Sequence, residues 1–193
     1  MPRIQPAAPN KITEDAQETL TQIEQKLGMA PNLTQTLAHS PVTLKSYWDF
    51  WQTMSGGRLA PKIRSQVALA VSEANGCAYC VSVHCALGKA DGLTADEIAD
   101  GRQGVSPSSA AGAALHFTRE VVDKRGQVST SDLDRLRRAG FSDEEITEIV
   151  GIIVLTLFSN YFNNVAGTVL DFPVAPELIK AYTGTAVFMQ VSH

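Results

Sequence analysis

CAYCVSVH, residues 77–84, is the part of the chain that says most about its structure. At roughly 100° per residue, an α-helix places Cys77, Cys80 and His84 within an arc of about 60°. Two thiols and an imidazole then share one helix face. The spacing therefore predicts a redox dithiol with its own base, and it predicts that a helix carries all three.

The rest of the chain is also predicted to be helical. Apolar residues recur at helical spacing in segments 13–27, 41–54 and 61–74, and Asn75-Gly76 is typical of a helix end. Thr94 and Ser142 each begin a capping-box pattern, which predicts a short helix after the first and a long apolar helix after the second. Since we find no convincing strand, we expect an all-α bundle with the C-x-x-C at the start of a central helix.

The composition favours a soluble intracellular protein. The chain has 193 residues, which is enough for one folding unit, and its 16 basic and 20 acidic residues form no run of either sign. We therefore expect neither nucleic acid nor a membrane as a partner. The first six residues lack a hydrophobic signal core, and the apolar run 149–158 is too short to span a bilayer. We predict a cytoplasmic location, where a C-x-x-C is usually redox-active or metal-binding.

The chemistry of the dithiol follows from the positions of its members. A helix start and a neighbouring histidine both lower a thiol pKa, and the thiolate is the nucleophile. His84 lies one turn after Cys80, so we assign Cys80 as the attacking sulfur and His84 as its base. Attack on a peroxide O–O bond would give a sulfenic acid on Cys80, which Cys77 could resolve to a disulfide. An external reductant must then close the cycle.

Several segments resemble the AhpD-like alkyl hydroperoxidases of the carboxymuconolactone decarboxylase superfamily, particularly their uncharacterised peroxidase-related branch. The likeness is carried by residues 58–64 and 77–84, and it extends to Asn32-Leu33, His39-Ser40-Pro41, Asn75-Gly76-Cys77, Gly92-Leu93-Thr94, Asn160-Tyr161-Phe162-Asn163 and Asp171-Phe172-Pro173.

This resemblance implies an AhpD-like helical domain over residues 1–193, with a core of about 41–126 and further helices packed on it at both ends. It implies a homo-oligomer, either a dimer, a trimer or a hexamer. The implied activity is thiol-dependent reduction of hydrogen peroxide or organic hydroperoxides in antioxidant defence. The second cysteine, Cys80, would be peroxidatic, His84 would belong to a proton relay, and an external dithiol protein or thiol would be the reductant.

One departure from the family pattern concerns the proton relay. Active members that the chain resembles carry a glutamate just after an arginine equivalent to Arg64, whereas Ser65 stands there in this chain. A hydroxyl cannot hold a negative charge, so His84 would be a weaker base than in the complete relay. Glu73 is the available substitute, although a solvent-facing role for it is also consistent with its position. Weakened peroxidase activity follows as an expectation.

Other interpretations of these residues remain open. Zinc would need a fourth ligand beside Cys77, Cys80 and His84, and we predict neither a bound metal nor a cofactor. Cys85 points about 100° away from His84, which favours a small buried residue over a third redox thiol. Trp48 and Trp51 are assigned to the core or a subunit interface. The alternative function is a non-catalytic redox sensor or thiol–disulfide relay in a helical oligomer, which would oxidise once and stop.

Overall fold

The computed structural model describes residues 1–178, and within that range it contains helices but no strand. The expected fold class, all-α, is confirmed. Residues 179–193 of the expected single domain lie outside the described part of the chain. After a short 3₁₀ helix, Pro9–Lys11, the α-helices are α1 (Glu14–Leu27), α2 (Asn32–Leu37), α3 (Pro41–Ser55), α4 (Pro61–Ala74), α5 (Ala78–Ala90), α6 (Ala95–Gln103), α7 (Ser109–Asp123), α8 (Thr130–Arg138) and α9 (Asp143–Ala166).

Local signals account for many of the helix starts. Both predicted capping boxes are present. The side chains of Thr94 and Ser142 accept from the backbone N–H groups of Glu97 and Glu145, and the carboxylates of these glutamates accept from the backbone N–H groups of Thr94 and Ser142. Such reciprocal caps satisfy N–H groups that the helix itself leaves unpaired. The starts of α6 and α9 are therefore fixed within the sequence of each helix.

Helix α4 lies at the centre of the bundle and packs against α5, α6, α7 and α9. Its apolar side chains join those of α7 and α9 in one buried cluster, which we call the main core. Members of the main core include Val67, Val71, Ala114, Phe117, Leu136, Ile149 and Ile153. These side chains are aliphatic or aromatic and carry no titratable group.

A second buried cluster forms where α1, α2 and α3 cover the start of α5. We call it the N-terminal cluster, and it contains Leu20, Ile23, Leu33, Leu37, Leu44, Trp48, Cys77, Tyr79 and Cys80. The side chains of α1 and α2 therefore pack in the same cluster as the cysteine pair, which is buried.

The turn between α4 and α5 places the cysteines. Gly76 has a φ of +60°, which is a conformation that glycine adopts without strain. The turn is closed by the backbone N–H of Cys77, which donates to the carbonyl of Ser72 at 3.0 Å. The break predicted at Asn75-Gly76 is thus confirmed, and it brings the first turn of α5 beside the end of α4.

Helix α9 is long and apolar enough to cross a membrane, but half of its most apolar window is buried against the other helices. That burial is typical of a core helix in a soluble protein. One stripe of α9 is nevertheless both apolar and exposed. We call it the α9 stripe, and it consists of Val150, Val154, Phe158, Tyr161 and Val165.

Candidate active site

Cys77 and Cys80 are joined by a disulfide at the start of α5, with their Cα atoms 5.2 Å apart. Cys77 is the N-cap residue, and its sulfur accepts the backbone N–H of Cys80 at 3.2 Å. Both side chains are buried. The N-terminus of a helix favours negative charge, and the sulfur of Cys77 lies at that end of α5.

A cavity of about 130 Å³ lies beside the disulfide, and both Cys80 and His84 line it. Its other walls are mainly apolar and aromatic. Trp48 and Trp51 stack there with ring centroids 5.0 Å apart, and both face the cavity. Trp48 also belongs to the N-terminal cluster, so the expected core assignment holds for Trp48, while the pair additionally forms a wall of the candidate site.

His84 lies between this cavity and a second one. Burial lowers the pKa of His84 from 6.5 to about 4, since desolvation disfavours the imidazolium ion. At neutral pH the ring is therefore uncharged and able to accept a proton. The second cavity, of about 300 Å³, is lined by His84 together with Ser65 and Asp91.

Three asparagines near the end of α9 reach the turn that carries the cysteines. Asn160 donates to Ser72 Oγ at 3.3 Å, and its own oxygen accepts from Asn75 at 3.2 Å. Asn164 donates to the carbonyl of Asn75 at 3.0 Å. Asn163 differs from the other two, because its Nδ2 donates to Cys80 Sγ at 3.3 Å. Helix α9 therefore fixes the turn and also contacts the sulfur.

The opposite side of the site is closed by the segment after α9. The backbone N–H of Asn32 donates to Asp171 Oδ2 at 2.6 Å, and the hydroxyl of Tyr79 accepts from the N–H of Leu33 at 3.3 Å. Phe172 packs edge-on against Tyr79 with ring centroids 6.2 Å apart. These contacts connect α2, α5 and residues 169–172 around the cavity.

Comparison with known proteins agrees with this architecture. Residues 41–123 match the sequence model of the carboxymuconolactone decarboxylase family. The structure is similar to an uncharacterised peroxidase-related protein with an alkylhydroperoxidase AhpD core from Ralstonia eutropha JMP134, with a TM-score of 0.78, 24% identity, and coverage of 88% of this chain and 92% of that one. This match and the shared helical fold support the expected place of the chain in the AhpD-like carboxymuconolactone decarboxylase superfamily.

Two further structures share this fold. An uncharacterised peroxidase-related protein from Silicibacter sp. TM1040 has a TM-score of 0.75 and 21% identity, with 84% of this chain and 87% of that chain covered. The debrominase Bmp8 has a TM-score of 0.73 and 21% identity, with coverage of 87% and 91%. A cysteine-to-alanine variant of Bmp8 has been solved with 2,3,4-tribromopyrrole. No protein of curated function matches the sequence significantly.

The two relay candidates of this AhpD-like protein lie in different places. Ser65 is buried, donates to Asp91 Oδ2 at 2.6 Å, and shares the second cavity with His84. Glu73 instead accepts from Arg102 Nε at 2.8 Å and lines a separate surface depression between α5 and α6. The structure therefore brings Ser65 towards His84 and places Glu73 away from it.

Asp91 and Asn163 are the site residues that the sequence analysis did not assign. Asp91 is seven residues after His84, so helical periodicity places the two on the same face, and that spacing was an available signal. Asn163 was part of a segment that carries the family resemblance, with no role assigned to it. Its contact with Cys80 spans 83 residues and depends on the packing of α9.

The remaining cysteine lies outside the cavity. Cys85 is buried among Leu69, Val81, Leu93 and Ile98, and burial raises the pKa of its thiol. Within residues 1–178, no group of three or more histidine, cysteine or acidic side chains is arranged to hold a metal ion.

Proposed function

We propose that the protein is a thiol-dependent peroxidase that reduces organic hydroperoxides or hydrogen peroxide and contributes to antioxidant defence. The observation that carries the proposal is that Cys80, bonded to Cys77, lines a mainly apolar cavity together with the uncharged His84. A substrate in that cavity would meet Cys80, whereas Cys77 does not line it.

The first step is attack by the Cys80 thiolate on the terminal oxygen of R–O–O–H. The S–O bond forms, the O–O bond breaks, and Cys80 becomes a sulfenic acid. His84 accepts the proton of the thiol and returns one to the leaving alkoxide, giving R–O–H. A histidine with a lowered pKa suits this second task, because its conjugate acid is a strong proton donor.

The second step is resolution. Cys77 attacks the sulfur of the sulfenic acid, water leaves, and the Cys77–Cys80 disulfide forms. The helix N-terminus supports Cys77 in this role by stabilising its thiolate. The same stabilisation makes Cys77 the better leaving group when a dithiol reductant attacks Cys80, since a thiol of low pKa leaves faster.

Proton movement away from His84 runs through the second cavity in this proposal. Ser65 and Asp91 line that cavity, and the carboxylate of Asp91 accepts the hydrogen bond of Ser65. Water in this space would connect the imidazole with the hydroxyl and with the carboxylate behind it. Glu73 has no part in the proposed relay, because its carboxylate is paired with Arg102 elsewhere.

The test is steady-state consumption of cumene hydroperoxide with an excess of a small dithiol. The wild type should turn over, Cys80→Ser should be inactive, and Cys77→Ser should stop after one equivalent with a sulfenic acid. Cys85→Ser is the matched control, since it removes a buried thiol outside the cavity. One stoichiometric oxidation of the wild type without turnover would instead favour the redox sensor or thiol–disulfide relay.

Reductive debromination of an aromatic compound is a second candidate. The aromatic walls of the cavity favour it, and the similar fold of Bmp8 supplies the precedent. In that reaction the dithiol provides two electrons and a proton: C–H replaces C–Br, bromide leaves, and Cys77 and Cys80 become a disulfide. Bromide released from a brominated pyrrole, with no consumption of hydroperoxide, would favour this candidate over the peroxidase.

We also propose that copies of the chain associate through the α9 stripe. Its exposed apolar residues lie at helical spacing on one face, and such a face is typical of helix-to-helix contact. Light scattering after gel filtration should show an oligomer for the wild type and a smaller species for Val154→Glu. An unchanged mass for that variant would exclude the stripe as the interface.

We further propose a cytoplasmic location for the enzyme, because thiol reductants are available there.

A further inference from the structure

We propose that Asn163 is the side chain that stabilises the Cys80 thiolate, by donating an amide N–H to its sulfur. The contact is present in the disulfide form, in which Asn163 Nδ2 lies 3.3 Å from Cys80 Sγ. The proposal rests on the proposed role of Cys80 as nucleophile, and it assigns to α9 a direct part in the chemistry.

The need for such a group follows from the surroundings of Cys80. Among the described residues that line the cavity there is no lysine or arginine, and the imidazole of His84 is uncharged at neutral pH. An apolar enclosure raises the pKa of a thiol, because it disfavours the charged form. A thiolate in this place therefore depends on dipoles.

The two sulfurs have different donors. Cys77 Sγ accepts the backbone N–H of Cys80, which is part of the first turn of α5. Cys80 lies near the end of that first turn, where the field of the N-terminus is weaker than at the N-cap. The donor that the structure provides for its sulfur is the amide of Asn163, and a hydrogen bond to an anion is stronger than one to a neutral group.

Folding stability does not explain an asparagine at this position. The side chain is buried, and its Oδ1 has no hydrogen-bond partner in the described part of the chain. An unpaired buried carbonyl oxygen destabilises the folded state, because it loses its hydrogen bonds to water. Leucine has a similar size and would avoid this cost. The amide is therefore retained at the expense of stability, which is common for groups that serve a site.

The experiment measures the thiol pKa of Cys80 without using peroxide. In a reduced Cys77→Ser background, the rate of alkylation by iodoacetamide is followed against pH, with Cys85 also changed to serine so that one thiol remains. Asn163→Leu should move the midpoint up by about one unit, because the anion loses its donor. Asn163→Asp should move it further, because a carboxylate would face the thiolate.

The matched control is Asn164→Leu. Asn164 is exposed, and it donates to the backbone of the turn rather than to sulfur. The pH midpoint of alkylation in the Asn164→Leu variant should equal that of the protein with Cys80 as its one thiol and Asn164 intact. In the protein with both C-x-x-C cysteines, Asn163→Leu should lower kcat/KM for the hydroperoxide about threefold at pH values below both midpoints. The loss is smaller than the loss of thiolate, because a more basic thiolate is also a better nucleophile.

A purely structural role for Asn163 gives a different result. In that case Asn163→Leu would lower the free energy of unfolding and leave the alkylation midpoint unchanged. That outcome would overturn the proposal. Circular dichroism identifies a variant that fails to fold, in which case the isosteric Asn163→Asp decides alone. If no variant or wild type consumes peroxide while the midpoints shift as stated, the proposed function fails and the role of Asn163 stands.

Discussion

The main core and the N-terminal cluster are both buried, yet they consist of different kinds of side chain. The main core consists of apolar side chains from α4, α7, α8 and α9 and from the loops beside them, and the buried hydroxyls of Thr118 and Thr156 on these helices donate to backbone carbonyls. The N-terminal cluster holds both bonded cysteines beside aromatic rings, and the buried Nε1 of Trp48 has no hydrogen-bond partner in the described part of the chain. The main core therefore contributes mainly to stability, whereas the region of the N-terminal cluster contains unpaired polar groups next to a cavity.

The largest effect on stability should come from a large-to-small substitution in the main core. Phe117 is almost fully buried there, so Phe117→Ala should lower the free energy of unfolding by about 3–5 kcal/mol. Urea denaturation measures this loss. Peroxidase kcat/KM per folded molecule should stay within about twofold of the wild type, because the cavity lies elsewhere. A large loss of activity in the folded fraction would show that the two regions are coupled.

A smaller effect should follow from the titration of His84. Its pKa is lowered from 6.5 to about 4 in the folded state, so between these values the unfolded state binds more protons. Stability should therefore fall as pH drops from 6.5 towards 4, by about 1–3 kcal/mol from this residue. Urea denaturation at several pH values should show a shallower decline for His84→Gln. Equal pH dependence in both proteins would contradict the lowered pKa of the partly buried imidazole.

The aromatic wall should affect substrate binding more than stability. Trp51 is partly exposed and lines the cavity, so Trp51→Ala should raise KM for cumene hydroperoxide roughly tenfold through loss of aromatic contact. Hydrogen peroxide offers no such contact, and its kcat/KM should change little. Val42→Ala on the same helix is the control, since Val42 is exposed. Equal losses with both peroxides would mean that the wall positions Cys80 rather than the substrate.

The smallest effect should come from Cys85. It is buried outside the cavity, and its raised pKa keeps it a thiol at neutral pH. Cys85→Ala should retain turnover within about twofold and lose roughly 1 kcal/mol of stability through a small packing defect. Steady-state kinetics and urea denaturation test both statements. Loss of turnover would give Cys85 a redox role.

Features coded within a few residues could be predicted from the sequence. The capping boxes at Thr94 and Ser142, the break at Asn75-Gly76 and the helix that begins at Pro61 are all present. Two helices were not predicted. α2 has only six residues and no side-chain cap, and α8 is mainly polar with Leu136 as its buried residue. Neither offers a periodic apolar pattern long enough to recognise.

Contacts between distant helices could not be predicted. The shared face of Cys77, Cys80 and His84 follows from helix geometry alone, whereas the bond from Asn163 to Cys80 depends on how α9 crosses α5. The bond from Ser65 to Asp91 depends in the same way on the packing of α4 against α5. A single sequence specifies such distances only through the complete fold.

The most direct test of the account compares two reduced variants, Cys77→Ser and Cys80→Ser, exposed to one equivalent of cumene hydroperoxide and then to dimedone. Mass spectrometry of the peptides locates any sulfenic acid. We expect rapid peroxide loss in Cys77→Ser with the adduct on Cys80, and almost no reaction in Cys80→Ser. An adduct on Cys77 in Cys80→Ser, formed faster than the adduct on Cys80, would contradict Cys80 as the nucleophile.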